Sequence, residues 1–245
     1  MIRRFEVEWP DPRPFTDRAG RPIRFLAASD APDRALEYEV NRQALGPIDG
    51  LIGCGDLEPA WLDFLADSFG VPLIYVRGNH DRGGVWEDGR VIVPSWLEPG
   101  GAERLAGIEI VGLEWPGAGE HGNRRRPWTA WRHALSIAIR RLPAGLVGRS
   151  EPVLVISHAP PEGAGDAPTD AYHVGFAGYR WLLRRLRPPL WLHGHTTTAS
   201  VPSLVAHEGP TTLLNVTGAV LIEILGPMAS RSSASDLGEQ DAALR

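Results

Sequence analysis

The sequence predicts an α/β fold of stacked layers, and three observations carry that expectation. Short, continuous apolar runs with β-branched residues recur along the chain, bounded by glycine and proline, the pattern of strands buried on both faces. Amphipathic segments at helical spacing separate the early runs, so that the first third reads βαβαβ. Polar residues capable of metal binding or proton transfer close one run after another, at the strand ends where open α/β folds gather their reactive groups.

The elements follow in order. Residues 5–9 alternate enough for a short edge strand and lead into a proline-rich loop. Strands are expected over residues 24–28, ending in Ser29-Asp30, over 51–54, ending in Gly55-Asp56, and over 73–76, leading into Arg77-Gly78-Asn79-His80-Asp81. Helices are expected over 35–45 and 59–69. In the second, Trp61, Leu62, Leu65 and Phe69 share one face. Pro59 takes a first-turn position where its missing N–H costs nothing, and Gly70 and Pro72 end the helix.

The second half continues with a strand over 108–113, a glycine- and arginine-rich loop over 117–127, and a helix over 129–142 with Thr129 as its N-cap. A strand over 153–156 ends in Ser157-His158, and a loop over 160–175 precedes a helix over 179–186, stopped by Pro188-Pro189. A strand over 190–192 then ends in His193-Gly194-His195. Residues 211–216 and 219–225 read as an antiparallel pair turning at Thr217-Gly218. No fixed-period repeat and no linker between two cores interrupts this pattern. Residues 1–228 are therefore expected to form one domain, and residues 229–245, poor in core-forming side chains, a disordered or frayed tail.

Composition narrows the function. A chain of 245 residues can bury a large core. A formal charge of −5 provides no global basic field, which disfavours a duplex nucleic-acid binder. All 25 basic residues are arginine, so lysine Schiff-base chemistry and a phosphate-loop lysine are excluded. The single cysteine, Cys54, permits neither an internal disulfide nor a cysteine-cluster zinc site, and reads as a buried structural thiol. The first residues lack the apolar segment of a signal peptide, and no run reaches the roughly 20 apolar residues that span a bilayer. A soluble cytoplasmic protein with no membrane partner is expected.

Asp30, Asp56, Asn79 with His80, His158 and His195 stand at five strand ends. Singly, each has an ordinary reading: an Asp after a strand forms turns, and a lone histidine is a hydrogen-bonded polar residue. Together they point to a site. Imidazole and amide-oxygen ligands suit Mn, Fe, Co, Ni or Zn better than an all-carboxylate site would. Two metals about 3.5–4 Å apart can clamp a phosphoryl group, and a neighbouring histidine can protonate the departing oxygen.

At these residues the chain resembles the calcineurin-like metallophosphoesterases. The matching motifs are Asp30-Ala31-Pro32, Gly55-Asp56, Gly78-Asn79-His80-Asp81, His158 within Ser157-His158-Ala159-Pro160-Pro161, and Gly194-His195-Thr196-Thr197. The resemblance implies a four-layer αββα sandwich with metals at the strand ends of two sheets. It also implies one metal subsite made by Asp56, Asn79, His158 and His195, all present. The other would use Asp30, the shared Asp56, and histidines where this chain has Pro32 and Thr197. His80 would be the general acid, with Asp81 orienting its loop.

The two departures leave three readings open. One divalent transition ion (Mn, Fe, Zn or Ni) is held tightly while a second, weak ion draws on Asp33, Glu58 or His193. Alternatively, one ion suffices for slow hydrolysis, or the fold binds a phosphorylated ligand or a protein without turnover. The substrate-contact candidates are Arg125, within the Arg124-Arg125-Arg126 run of a loop that also holds His121 and Asn123, and His173, beside Asp166, Asp170 and Tyr172. Arginine forks hold phosphate oxygens well. No extended basic stripe suits a long nucleic acid, so a small phosphorylated molecule or short nucleotide is the expected partner. Of the nine tryptophans, Trp61, Trp131 and Trp181 read as core packing, and Trp115 alone is a candidate for base stacking.

Overall fold

Along strand β2 (Ile23–Ser29), Ile23, Phe25 and Ala27 join one buried cluster while Leu26 and Ala28 join another on the opposite face. A strand buried on both sides needs cover on both sides, and the computed structural model provides it. Residues 2–90, 93–118, 124–146 and 151–227 are described. The predicted tail over 229–245, together with His121 and Asn123, lies outside them.

Strands β1 (Arg3–Glu8), β2, β3 (Gly50–Gly53), β4 (Leu73–Tyr75) and β13 (Gly218–Leu225) form one sheet in the order β1-β13-β2-β3-β4. The second sheet runs β11-β12-β10-β9-β6-β5. It comprises β5 (Ala102–Leu105), β6 (Ile108–Leu113), β9 (Val153–Ser157), β10 (Leu190–His193), β11 (Val205–Glu208) and β12 (Thr211–Asn215). A short antiparallel pair, β7 (Gly117–Ala118) and β8 (Arg124–Arg125), stands apart from both. Facing side chains such as Ile52, Ile74, Ile110, Leu154 and Leu192 make the core between the sheets. Helices α1 (Glu39–Leu45) and α2 (Pro59–Phe69) flank the first sheet, where Trp61, Leu62 and Leu65 meet Leu51 and Leu221. Helices α3 (Pro127–Leu146) and α4 (Ala177–Leu186) flank the second, packing Ala130, Ala134, Tyr179 and Leu183 on Val153, Val155 and Trp191. The layering is αββα, as expected. Among the described residues, no helix is long and apolar enough to cross a membrane.

Four local expectations are corrected. The segment 35–45 is not one helix: a 3-10 turn over Arg34–Glu37 and α1 are separated by Tyr38 in extended conformation, with Asp33 accepting a hydrogen bond from the Ala35 N–H at 3.0 Å. Tyr38 and Val40 are exposed, so no continuous apolar face holds a longer helix on the sheet. Helix α3 starts at Pro127 rather than after Thr129, whose own N–H is already bonded to the Arg126 carbonyl. Strands β5 and β11 are additions to the expected set. The former is an edge strand with mostly exposed side chains, so it lacks the apolar signature of its neighbours.

The largest correction concerns residues 211–225. β12 and β13 do not pair with each other; they lie in different sheets, and the chain crosses between the layers at Val216 and Thr217. Both are interior strands with mostly buried side chains, and each lies between two flanking strands of its own sheet. The Arg3 guanidinium pins the crossing by donating to the Asn215 and Thr217 carbonyls at 3.1 and 2.9 Å.

Candidate metal centre

The C-terminal ends of β2, β3, β4 and β10 lead into one cleft of about 570 Å³, lined among others by Asp30, Asp56, Asn79, His80, His173 and His195. Three of these residues adopt left-handed backbone conformations, with φ of 63° at Asp30, 58° at Asp56 and 65° at His195. Such geometry costs a non-glycine residue roughly 1–3 kcal/mol, and it concentrates where surrounding structure holds side chains for a purpose.

His158 is the centre of the cluster. Its Nδ1 lies 2.9 Å from the Cys54 carbonyl, which accepts its proton and leaves Nε2 facing the cleft. Around that Nε2 stand Asn79 Oδ1 at 2.8 Å, His195 Nδ1 at 3.2 Å and Asp56 Oδ2 at 3.3 Å. His195 is fixed likewise, because its Nε2 donates to the Tyr172 carbonyl at 2.7 Å and so presents Nδ1 as a lone pair. Three donor atoms from distant parts of the chain thus surround His158 Nε2. Asp30 stands beside them: donor atoms of Asp30, Asp56 and His158 lie within 4.8 Å of one another. The donor set of carboxylate, amide oxygen and two imidazoles fits a borderline divalent ion.

Without a cation, a proton takes its place. Burial opposes charge on His158, but Asp56, Asp30 and the Cys54 carbonyl outweigh it and raise its pKa to about 10. Burial works against charge on Asp56 as well, yet His158 and the His80 N–H bring its carboxyl down to about 2. Burial and the neighbouring His158 charge lower His195 to about 3. In the metal-free protein the charged His158 contributes stability fully below pH 6.5, and that contribution is lost as pH rises through about 10. Metal needs the neutral ring. Uptake of a divalent ion at pH 7 should therefore release about one proton, with affinity weakening as pH falls. Calorimetry in buffers of different ionisation enthalpy reads this directly, and uptake without proton release would contradict it.

The site depends on close backbone approach. A Cβ placed on Gly194 would overlap Ser29 Oγ and Asp30 Oδ2, and one on Gly78 would overlap the Asp56 carboxylate. Ser29 is buried and committed to the Cys54 and Gly55 carbonyls, so it cannot move aside cheaply. Gly194→Ala should destabilise the protein by roughly 1–3 kcal/mol. An unchanged denaturant midpoint would count against this packing.

The positions where the resemblance expects further histidines are differently used. Thr197 is exposed and heads a turn, with its N–H on Ser200 Oγ at 2.8 Å. The Asp30 carboxylate accepts from the His195 N–H, shared between its oxygens at 3.1 and 3.0 Å, and from the Thr217 hydroxyl at 2.9 Å, so part of its acceptor capacity is engaged. None of the three substitute ligands considered for a second ion joins the cluster. Asp33 caps its turn, Glu58 is exposed ahead of α2, and His193 is buried with Nδ1 at 3.0 Å from the Gly194 carbonyl.

His80 projects into the cleft with its side chain 69% exposed and Nε2 4.0 Å from Asp56 Oδ2, while its backbone N–H donates to Asp56 Oδ1 at 2.8 Å. Asp81 turns away. Its buried Oδ2 accepts from the Asp56 and Gly78 N–H groups, each at 2.7 Å, and from the Tyr75 hydroxyl. It holds the loop and does not reach a substrate, which narrows its expected role to positioning. His173 lines the cleft with Nδ1 2.5 Å from Asp170 Oδ2. Arg125 lies beside the cleft rather than in it, over the Phe176 ring. Trp115 is no stacking platform: it is 2% exposed and packs against His158, His195 and Phe176. The Cys54 and Tyr172 carbonyls and the Thr217 hydroxyl add to the expected site. A backbone carbonyl has no sequence signature, and Thr217 reads locally as part of a hairpin turn.

Residues 46–198, well over half of the chain, match the family model described as calcineurin-like phosphoesterase. Asp30 precedes the matched segment. No curated protein gives a significant sequence match. One solved structure superposes with a TM-score of 0.56 at 16% identity, over 82% of this chain and 95% of its own. The protein TT1561 of Thermus thermophilus superposes at 0.53 with 20% identity, over 80% of this chain and 90% of its own. At these identities the likeness is one of fold.

Proposed function

The chain belongs to the calcineurin-like phosphoesterases, a metal-dependent enzyme class, and from that premise we propose that it hydrolyses phosphate mono- or diesters of a small phosphorylated molecule. One divalent transition ion is held tightly, by Asp56, Asn79, His158 and His195, and a second weakly or not at all. The observation that carries this reading is the convergence of three donor atoms, from Asn79, His195 and Asp56, on His158 Nε2, with both imidazole tautomers set by carbonyls. When bound, the ion supplies Lewis-acid charge against the phosphoryl oxygens. The chain's own residues do the rest. His80 stands exposed at the cleft and holds a proton for the departing oxygen, Asp81 anchors the loop that carries it, and His173 contacts the substrate from the opposite wall.

The engaged carboxylate of Asp30 supports the weakening of the second subsite. It also favours the alternative, a protein that retains one ion and binds a phosphorylated ligand without turnover. Both are decided by one experiment. Protein saturated with Mn, then dialysed, should retain about one equivalent of ion and cleave aryl phosphate mono- or diesters. Two tight equivalents would overturn the asymmetric site. One equivalent with no cleavage of either ester class would leave the binding reading.

A further inference from the structure

Next to the cleft a second recess of about 390 Å³ is lined by Trp115, Arg125, Ala171, Tyr172, His80 and His195 among others. His80, His195 and Tyr172 line both spaces. A molecule with its phosphoryl group in the cleft therefore has room to extend into the recess.

Two side chains give the recess chemical character. The first is Arg125, half-buried, with its guanidinium 4.2 Å from the Phe176 ring centroid and 5.6 Å from that of Trp115. Its hydrogen bonds go to the carbonyls of Gly175 at 2.9 Å and Tyr172 at 3.3 Å. Among the described residues no carboxylate pairs with it; Asp166, the acid whose field it feels, is bonded to the Gly175 N–H. A partly desolvated cation resting on aromatic rings, with only neutral dipoles as partners, is an incomplete pair that an anion would complete.

The second is Tyr172. The residue is 79% exposed, yet its backbone is pinned: the N–H donates to Asp170 Oδ1 at 2.9 Å, and the carbonyl accepts from both His195 and Arg125. An aromatic ring on a fixed backbone offers a planar face at small ordering cost.

We propose that this recess holds the part of the substrate that is not hydrolysed, and that this part bears both a planar ring and, separately, a second anionic group, the chemistry of a nucleoside bisphosphate. The ring packs on Tyr172 and the second anion pairs with Arg125. This rests on the phosphoesterase reading for the first phosphate, but its test separates the two.

Calorimetry on Mn-loaded protein would compare adenosine 3′,5′-bisphosphate, adenosine 5′-monophosphate and glycerol 3-phosphate. The bisphosphate should bind about tenfold tighter than the monophosphate, and the ring-free phosphate should bind weakest. Arg125→Gln should erase the first step, Arg125→Lys should restore part of it, and Tyr172→Ala should erase the second. Metal content measured for each variant excludes an indirect effect through the Tyr172 carbonyl on His195. Equal affinities for all three probes, binding of none, or a bisphosphate preference that survives Arg125→Gln would overturn the subsite. A graded series without hydrolysis of any ester would uphold the subsite and remove the hydrolytic reading; hydrolysis without gradation would do the reverse.

Discussion

Asp56→Asn is expected to lose tight metal binding and to lower hydrolysis by about a thousandfold, equivalent to roughly 4 kcal/mol of transition-state stabilisation. Asp56 lies between both halves of the cluster: Oδ2 faces His158 at 3.3 Å, and Oδ1 accepts the His80 N–H at 2.8 Å. Asparagine preserves shape and the acceptor for His80, so the loop should remain in place. What goes is the charge that offsets a dication. The buried His158 is left without its main electrostatic partner and reverts to a neutral ring bonded to Cys54. Elemental analysis after dialysis should fall from about one equivalent toward zero, with a far-ultraviolet spectrum unchanged. A variant that retained its ion would show that the four donors do not act as one site.

His80→Ala separates chemistry from metal binding. Its ring is exposed and outside the group of converging donors, and alanine keeps the backbone N–H that holds Asp56. Metal content should not change, whereas kcat should fall roughly 10²–10⁴-fold. The loss should be largest for esters with poor leaving groups and small for nitrophenolate, which departs without a proton. That dependence on the leaving group is the informative readout. Equal losses across leaving groups, or none, would remove the proton-donor role.

The strands that deliver the site were legible because their side chains are largely buried. β2, β3, β4, β9 and β10 are short apolar runs followed by polar residues, of which Asp30, Asp56, Asn79, His80 and His195 line the cleft while His158 is buried against Asp56, Asn79 and His195. The four-layer αββα arrangement was legible only through the resemblance, since apolar runs alone do not say which sheet a strand joins. This is why residues 211–225 misled. Two apolar strands around Thr217-Gly218 suit a hairpin locally, whereas in the fold each pairs within a different sheet. Edge strands β5 and β11 failed for the opposite reason, having little to bury. Within the site the donors were visible as residue types. Their holders were not, because the Cys54 and Tyr172 carbonyls exist in every sequence and acquire meaning only when an imidazole is aimed at them.

The donors also come from both layers. Asp56 and Asn79 follow strands of the first sheet, and His158 and His195 follow strands of the second. An ion gripped by all four would act as a rivet through the sandwich, resisting any opening of the interface between the sheets. Mass action sets the size of the effect: free ion at a hundred times its dissociation constant adds about 2.7 kcal/mol to the folded state. Cation supply would then govern how long the molecule survives as well as how fast it works.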